Sequence, residues 1–318
     1  MSPALVHDND NNSSTTNIFN KDKSFWNNYN KGRPHPPESL TNRIFKYHEQ
    51  HGSSFATAHD VGAGDGPYAA KLKARFAHVI VSDISASNVE LAKRRLGQDG
   101  YSYRQARVED AGSVEDASVD LVFAANVMHF PDQAPAMAAI ARQLRPGGTF
   151  AAAAFGPARF DDEALQALWE RISEQGGQEL LDKAGAEEQA KTMAVMARTE
   201  GTYNTAPLDT SLFLPGAQRV HLNMDRGGLT GMLPASKAHL NTEPSHTGPN
   251  DVEVWEEEAG WEFEMDRAAV KEHALSFPFI SDQSPAMARL FDELDSMLPP
   301  GTSARGRWPA KIILATRR

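Results

Sequence analysis

The sequence predicts a doubly wound α/β fold on a mostly parallel sheet. Two observations carry this. Between residues 53 and 156, short apolar runs alternate with segments of helical periodicity, the pattern of repeated βα units. At the first strand-to-helix turn, Asp60-Val61-Gly62-Ala63-Gly64-Asp65-Gly66 sets three glycines behind a carboxylate, and glycine there lets the backbone approach a ligand closely.

In order, the chain opens with a polar stretch, Asp8 to Thr16, that has acids and amides where a secretory signal would need basic and then apolar residues. Residues 1–24 read as a disordered tail. Residues 25–52 read as a helical segment, with Leu40, Ile44 and Phe45 on one face before Gly52. Residues 53–156 are the α/β core: strands in FATAHDV, HVIVSD, YSYRQAR, VDLVFAAN and TFAAAAF, with helices from Pro67, Ser85 and Asp132. Ser85 and Asp132 suit N-caps, Pro67 a first helical position and Gly147 a helix end. Residues 157–300 read as an insertion plus part of the sheet. In it Leu165, Leu168, Trp169 and Ile172 keep helical spacing, and Asp225 to Asp251 form a long loop. VEVWEEEAGWEFEMD looks like a hairpin, with Glu256, Glu257 and Glu258 at a solvated end. Residues 301–318 supply the last strand, AKIILAT.

Composition bounds the function. Of the 318 residues 40% are apolar and 23% charged, ordinary globular usage. The longest quiet apolar run, Phe150 to Phe155, is far short of the roughly 20 residues that span a bilayer, so no membrane partner is expected. The chain has no cysteine, which excludes disulfides, thiolate zinc sites, iron–sulfur clusters and a cysteine nucleophile, and makes the cytoplasm the default compartment. A net charge of −10 argues against a nucleic-acid partner. The eleven histidines include no H-E-x-x-H pair, so no catalytic metal is expected. The default oligomeric state is a monomer.

The glycine loop is linked to a second feature. Asp83 ends the next strand, where a carboxylate can accept hydrogen bonds from ribose hydroxyls. A dinucleotide fingerprint, G-x-G-x-x-G, would need a glycine where Pro67 stands, and no G-K-[ST] follows to make a P-loop. Asp60 fits a ligand carrying an ammonium group better than one carrying a pyrophosphate.

With DVGAGDG, VSDIS, VDLVFAANVMHFPD and LRPGG in view, the core resembles the class I S-adenosylmethionine-dependent methyltransferases. FWNNYNKGRP and WPAKIILAT narrow the resemblance to the fungal trans-aconitate and cantharidin methyltransferase relatives. It implies a Rossmann-like, seven-stranded sheet with the N-terminal segment and the insertion capping the site. It also implies that S-adenosylmethionine is the cofactor. Gly62, Ala63, Gly64 and Gly66 would wrap its methionine part and Asp60 would meet the amino group. Asp83 would hold the ribose, Ile84 would pack on the adenine, and Arg107 and Val108 would stand at its edge. The family often carries a small or acidic residue at Arg107, a departure here. Ala125 and Asn126 would lie beside the sulfonium, and Trp26, Tyr29 and Arg33 would form part of a lid.

Each assignment has a plainer rival. The glycine loop could be an unliganded tight turn, and Asp83 a helix cap. Trp26, Tyr29 and Arg33 could anchor the first helix, and Trp169, Met193 and Met196 read as core. His129 could be a general base, because imidazole titrates near neutrality, or a satisfied polar residue at a strand end. The expected function is methyl transfer to an O, N or C nucleophile of a small molecule, in specialised metabolism. The alternatives are a cyclase or other non-methylating enzyme that keeps the cofactor, and a non-catalytic regulatory protein on the same fold.

Overall fold

The computed structural model describes residues 23–51, 54–110, 112, 114–229 and 231–318. Most of the expected N-terminal tail thus lies outside the described residues. Helix α1 (Lys23–Gly32) is followed by α2 (Glu38–Gln50), which starts directly after Pro37 and buries Leu40, Ile44, Phe45, Tyr47 and His48. The βα series then runs β1 (Thr57–Val61), α3 (Ala69–Lys73), β2 (His78–Asp83), α4 (Ala86–Leu96), β3 (Tyr101–Gln105), β4 (Val119–Ala125), α5 (Gln133–Gln143) and β5 (Leu144–Phe155). Ser85 caps α4 by accepting from the Asn88 N–H. Asp132 takes the N-cap position of α5 without a side-chain cap bond. The second half contains β6 (Arg159–Phe160), α6 (Glu163–Lys183), α7 (Ala186–Thr199), β7 (Gln218–Leu222), β8 (Val252–Glu256), β9 (Glu262–Asp266), α8 (Arg267–Leu275), α9 (Pro285–Met297), β10 (Ser303–Arg307) and β11 (Ala310–Thr316).

The main sheet has the order β3-β2-β1-β4-β5-β11-β7-β8. β1 to β5 pair in parallel, whereas β11 runs antiparallel to both β5 and β7. The sheet is buried on both faces. Ile312 and Leu314 join one hydrophobic cluster while their neighbours Ile313 and Ala315 join the other, so β11 reads as a continuous apolar run instead of an alternation. Among the described residues no helix is long and apolar enough to cross a membrane.

Four local expectations are corrected. The sheet carries an eighth strand, β8, added in parallel to the outer side of β7. For the same reason VEVWEEEAGWEFEMD is not a hairpin. Its first arm pairs with β7, and its second pairs antiparallel with β10 in a separate sheet of order β6-β10-β9. Alternation identifies a strand but not its distant partner. Glu256 and Glu258 are not simply solvated, because both pair with Arg43 of α2 at 2.6 and 3.1 Å. Gly147 does not end a helix: α5 stops at Gln143, and Gly147 lies within β5, its N–H donating to the Arg317 carbonyl.

Candidate active site

β1 and β2 lie side by side with Val61 opposite Ser82. Their carboxyl ends therefore bring the glycine loop and Asp83 to one edge of the sheet, the place where open α/β sheets bind ligands. Gly62 and Gly64 have φ of +63° and +59°, a left-handed backbone that a side chain resists. A Cβ at Gly62 would collide with Val127, and one at Gly64 would meet the Trp26 indole. The loop is tied to the next strand. Gly64 N–H donates to Asp83 Oδ2 at 2.9 Å, and Ala63 N–H donates to the Ser82 carbonyl.

Asp83 also accepts from the Ser85 N–H and from Asn88 Nδ2 through Oδ1. A carboxylate has about four lone-pair positions, so these three bonds leave room for one more donor. Burial pushes the Asp83 carboxyl up, against those three hydrogen bonds. Asp60 is 1% exposed, and its Oδ2 is buried with no hydrogen-bond partner. Burial, and then the nearby Asp83, raise its carboxyl to about 8. An orphaned acid of this kind in a cavity wall matches a ligand ammonium.

Above the loop lies a cavity of about 980 Å³, its open mouth included. Asp60, Gly62, Ala63, Gly64, Asp83 and Ile84 line it, as do Arg107, Val108, Ala125 and Asn126. Gly66 does not, because its α-carbon faces Leu96 under α4. Arg107 stands half-exposed at the rim and pairs with Glu109 at 3.3 Å. Helix α1 crosses the mouth: Trp26 is buried against the loop, and its Nε1 donates to Asn88 Oδ1 at 3.0 Å. Asn30 of the same helix donates to Asp65.

A second chamber of about 850 Å³ shares Tyr29, Asn126 and Phe130 with the first. Its walls are mostly apolar, with Phe155, Phe277, Phe279 and Met232 among them. Two partly buried hydrogen bonds hold its outer loop, as Glu200 accepts the N–H groups of Gly231 and Leu233. Arg33 lines this chamber. Its guanidinium lies 3.7 Å from the Phe277 ring centre and 5.0 Å from that of Tyr29, and its Nε is buried without a partner. No carboxylate among the described residues pairs with it, and burial lowers its pKa. His129 bonds through Nδ1 to the Tyr203 hydroxyl at 2.8 Å. Burial first, then Arg33 and Arg198, drive His129 down to about 3. It is therefore a neutral imidazole at pH 7.

Apart from Gly66, the residues proposed from sequence thus divide between two adjoining cavities, with Tyr29 and Asn126 lining both. Sequence reasoning passed over Asn88, Tyr68 and Glu109 in the first and Tyr203, Phe277 and Lys311 in the second. Asn88 is hidden as an ordinary position in the first turn of a helix. Lys311 did leave a signal: it is a lone charge inside the apolar strand AKIILAT.

The doubly wound sheet, the glycine loop and the two carboxylates define an α/β enzyme that binds a nucleoside-type cofactor at the carboxyl edge of its strands. The methyltransferase-domain family matches residues 59–152. The chain is 54% identical over 306 residues to methyltransferase AacuQ of Aspergillus aculeatus, covering 96% of this chain and 97% of that one. It is 52% identical to methyltransferase tpcM of Aspergillus fumigatus, covering 95% and 94%, and 51% identical to a methyltransferase of Claviceps purpurea, covering 94% of each. The chain belongs to the class I S-adenosylmethionine-dependent methyltransferases. Its fold is also that of a structure described as a type II methyltransferase from Anaeromyxobacter dehalogenans, at 21% identity and a TM-score of 0.52 over 89% of this chain and 97% of that one.

Proposed function

We propose that this methyltransferase, acting in specialised metabolism, methylates an acidic oxygen, a carboxylate above all, of a small and largely apolar molecule. The observation that carries this is Arg33, a buried guanidinium with no carboxylate partner among the described residues, in an apolar chamber that shares Tyr29, Asn126 and Phe130 with the cofactor cavity. A buried cation without a counter-ion is costly. A carboxylate ligand would supply that counter-ion through paired charge-assisted hydrogen bonds.

The residues of the first cavity fit S-adenosylmethionine, since the orphaned Asp60 oxygen suits its ammonium group and Asp83 keeps one acceptor position for the ribose. Ile84 and Val108 offer apolar surface for the adenine. When bound, the cofactor supplies an electrophilic methyl group on a sulfonium. The chain's own part is to hold and align. Trp26 and Tyr29 close the mouth over the glycine loop and exclude water, and Asn126 marks the passage between the cavities. Arg33 fixes the acid so that one oxygen faces that passage, and such alignment can supply much of the rate.

A carboxylate already carries the attacking lone pair and needs no base. This agrees with His129, which binds a proton too weakly at neutral pH to act as one. His129 instead holds the Tyr203 hydroxyl and so shapes the chamber wall. The test is to incubate the protein with S-adenosylmethionine and matched aromatic acids, amides and phenols, and to follow S-adenosylhomocysteine and methyl ester together. Ester from the acids supports the reading. Turnover confined to the amides would overturn it.

A further inference from the structure

In the wall of the acceptor chamber a lysine is kept between the apolar Ala310 and Ile312. Lys311 is 1% exposed, at the second position of β11. Its Nζ lies 2.9 and 3.3 Å from the two ring nitrogens of His221. His221 lies flat on Trp255, ring centres 3.8 Å apart, and its Nε2 is 3.1 Å from Glu253 Oε1. The amine's hydrogen-bond partner is thus a ring that burial lowers to about 4, hence neutral, and no carboxylate among the described residues forms an ion pair with it. An ammonium shut in this way is unfavourable, and a structural role would be served as well by leucine.

The register of the sheet turns this observation into a distance. Ala125, the last residue of β4, pairs with Ala153, and Ala153 pairs with Ile312, the residue after Lys311. Asn126, just past the end of β4, and Lys311 therefore follow that row toward the same end of the sheet. Two strand spacings put the backbone of β11 roughly 10 Å from that of β4. Asn126, Ala154 and Lys311 all line the acceptor chamber.

We propose that Lys311 is a second anchor for the acceptor, a specificity-determining residue that binds an acidic hydroxyl at the end of the molecule remote from the methylated oxygen. The inference rests on reading this chamber as the acceptor site. The acceptor is then a flat, rigid molecule about two rings long that carries an acidic oxygen at each end.

The charges facing Lys311 support this role. From β7 come Arg219 and His221, and from β8 and the residue before it come Glu253 and Asp251. β5 contributes the uncharged Ala154, and the chamber itself holds Arg33 and His129. Burial and then Arg219 bring the amine to about 7, against the pull of Glu253 and Asp251. It can therefore meet a hydroxyl as an acceptor, or a phenolate as a donor, at little cost in proton transfer.

The experiment titrates the full chain, saturated with S-adenosylhomocysteine, with 4′-hydroxybiphenyl-4-carboxylate and with biphenyl-4-carboxylate, which lacks only the distal hydroxyl. The expected result is at least tenfold tighter binding of the hydroxy acid. In Lys311→Met the two acids should bind alike, with affinity for biphenyl-4-carboxylate and for S-adenosylhomocysteine within about twofold of wild type. Equal affinities in the wild type, or a preference that survives in Lys311→Met, overturn the anchor. The wild-type comparison decides the matter even if the variant does not fold. If biphenyl-4-carboxylate binds and is methylated but the hydroxyl adds nothing, Lys311 fails while the acceptor reading stands. If neither acid binds, both fall.

Discussion

The cavity over the glycine loop takes its defining polar groups, Asp60 and Asp83, from two consecutive βα units. The chamber beside it draws Arg33, His129, Tyr203 and Lys311 from near one end of the chain to near the other. The first is held largely by backbone, through left-handed glycines and main-chain N–H groups bonded to Asp83 and Ser82. The second is held by side chains packed from α1, α6, the segment after α8 and the loops around β7. Backbone-built sites tolerate few substitutions but accept one shape. Side-chain-built chambers can be reshaped residue by residue, which suits the proposed role of this one in choosing the acceptor.

The largest effect expected from this contrast is at Gly62. Gly62→Val sets a branched side chain at φ +63° against Val127, a strain on the order of 1–3 kcal/mol before any clash is counted. Cofactor binding by calorimetry should be lost, and retention of wild-type affinity would show that the loop yields more easily than its geometry implies. Asp83→Ala comes next. It removes the acceptor for Gly64, Ser85 and Asn88 as well as the proposed ribose contact, and should weaken cofactor binding by about 1.5–3 kcal/mol.

In the other cavity, Arg33→Met should raise KM for an acidic acceptor by about tenfold or more, the worth of a charge-assisted hydrogen bond, while cofactor affinity changes little. An equal loss for both ligands would mean that Arg33 serves the lid as a whole, and the contrast between the cavities would weaken.

Asp60 gives a smaller, pH-dependent signature. Its carboxyl lies at about 8 in the folded chain against an ordinary value of 3.8. Between those values the folded state holds more proton than the unfolded state, so this group makes stability fall as pH rises from about 4 to about 8. Melting temperatures of the cofactor-free protein should decline less with pH in Asp60→Asn than in wild type. Parallel curves would mean that the acid is solvated. The smallest effect is expected at His129: His129→Phe should change kcat by less than about tenfold, because an imidazole lowered to about 3 is too weak a base to take up a proton at pH 7. A loss on the order of 10²–10⁴-fold would restore it as a general base.

Legibility from sequence followed the same division. Asp60, Gly62, Gly64 and Asp83 could be assigned because strand, turn and helix signals fix their places within about 25 residues, where local geometry leaves few choices. Gly66 belonged to the same motif, yet the structure turns it toward Leu96, a packing detail that spacing does not reveal. The resemblance put Arg33 in a lid but did not mark it as a buried cation with no carboxylate partner among the described residues. That property depends on which acids come near it from α8 and the loop before β7. The false hairpin at VEVWEEEAGWEFEMD has the same cause, since β8 and β9 each found a partner far away in the chain.

The sequence by itself determined the doubly wound core, the turn that the glycines impose and the carboxylate at the end of each of the first two strands. These follow from periodicity and from backbone conformations that only certain residues adopt. Only the tertiary structure decided the eighth strand, the neutral state of His129, the separation of Arg33 from any described carboxylate and the placing of Lys311 two strands from the end of β4. Those depend on burial and on contacts between residues far apart in the chain, and charge and solvation at a site are set by everything that packs around it.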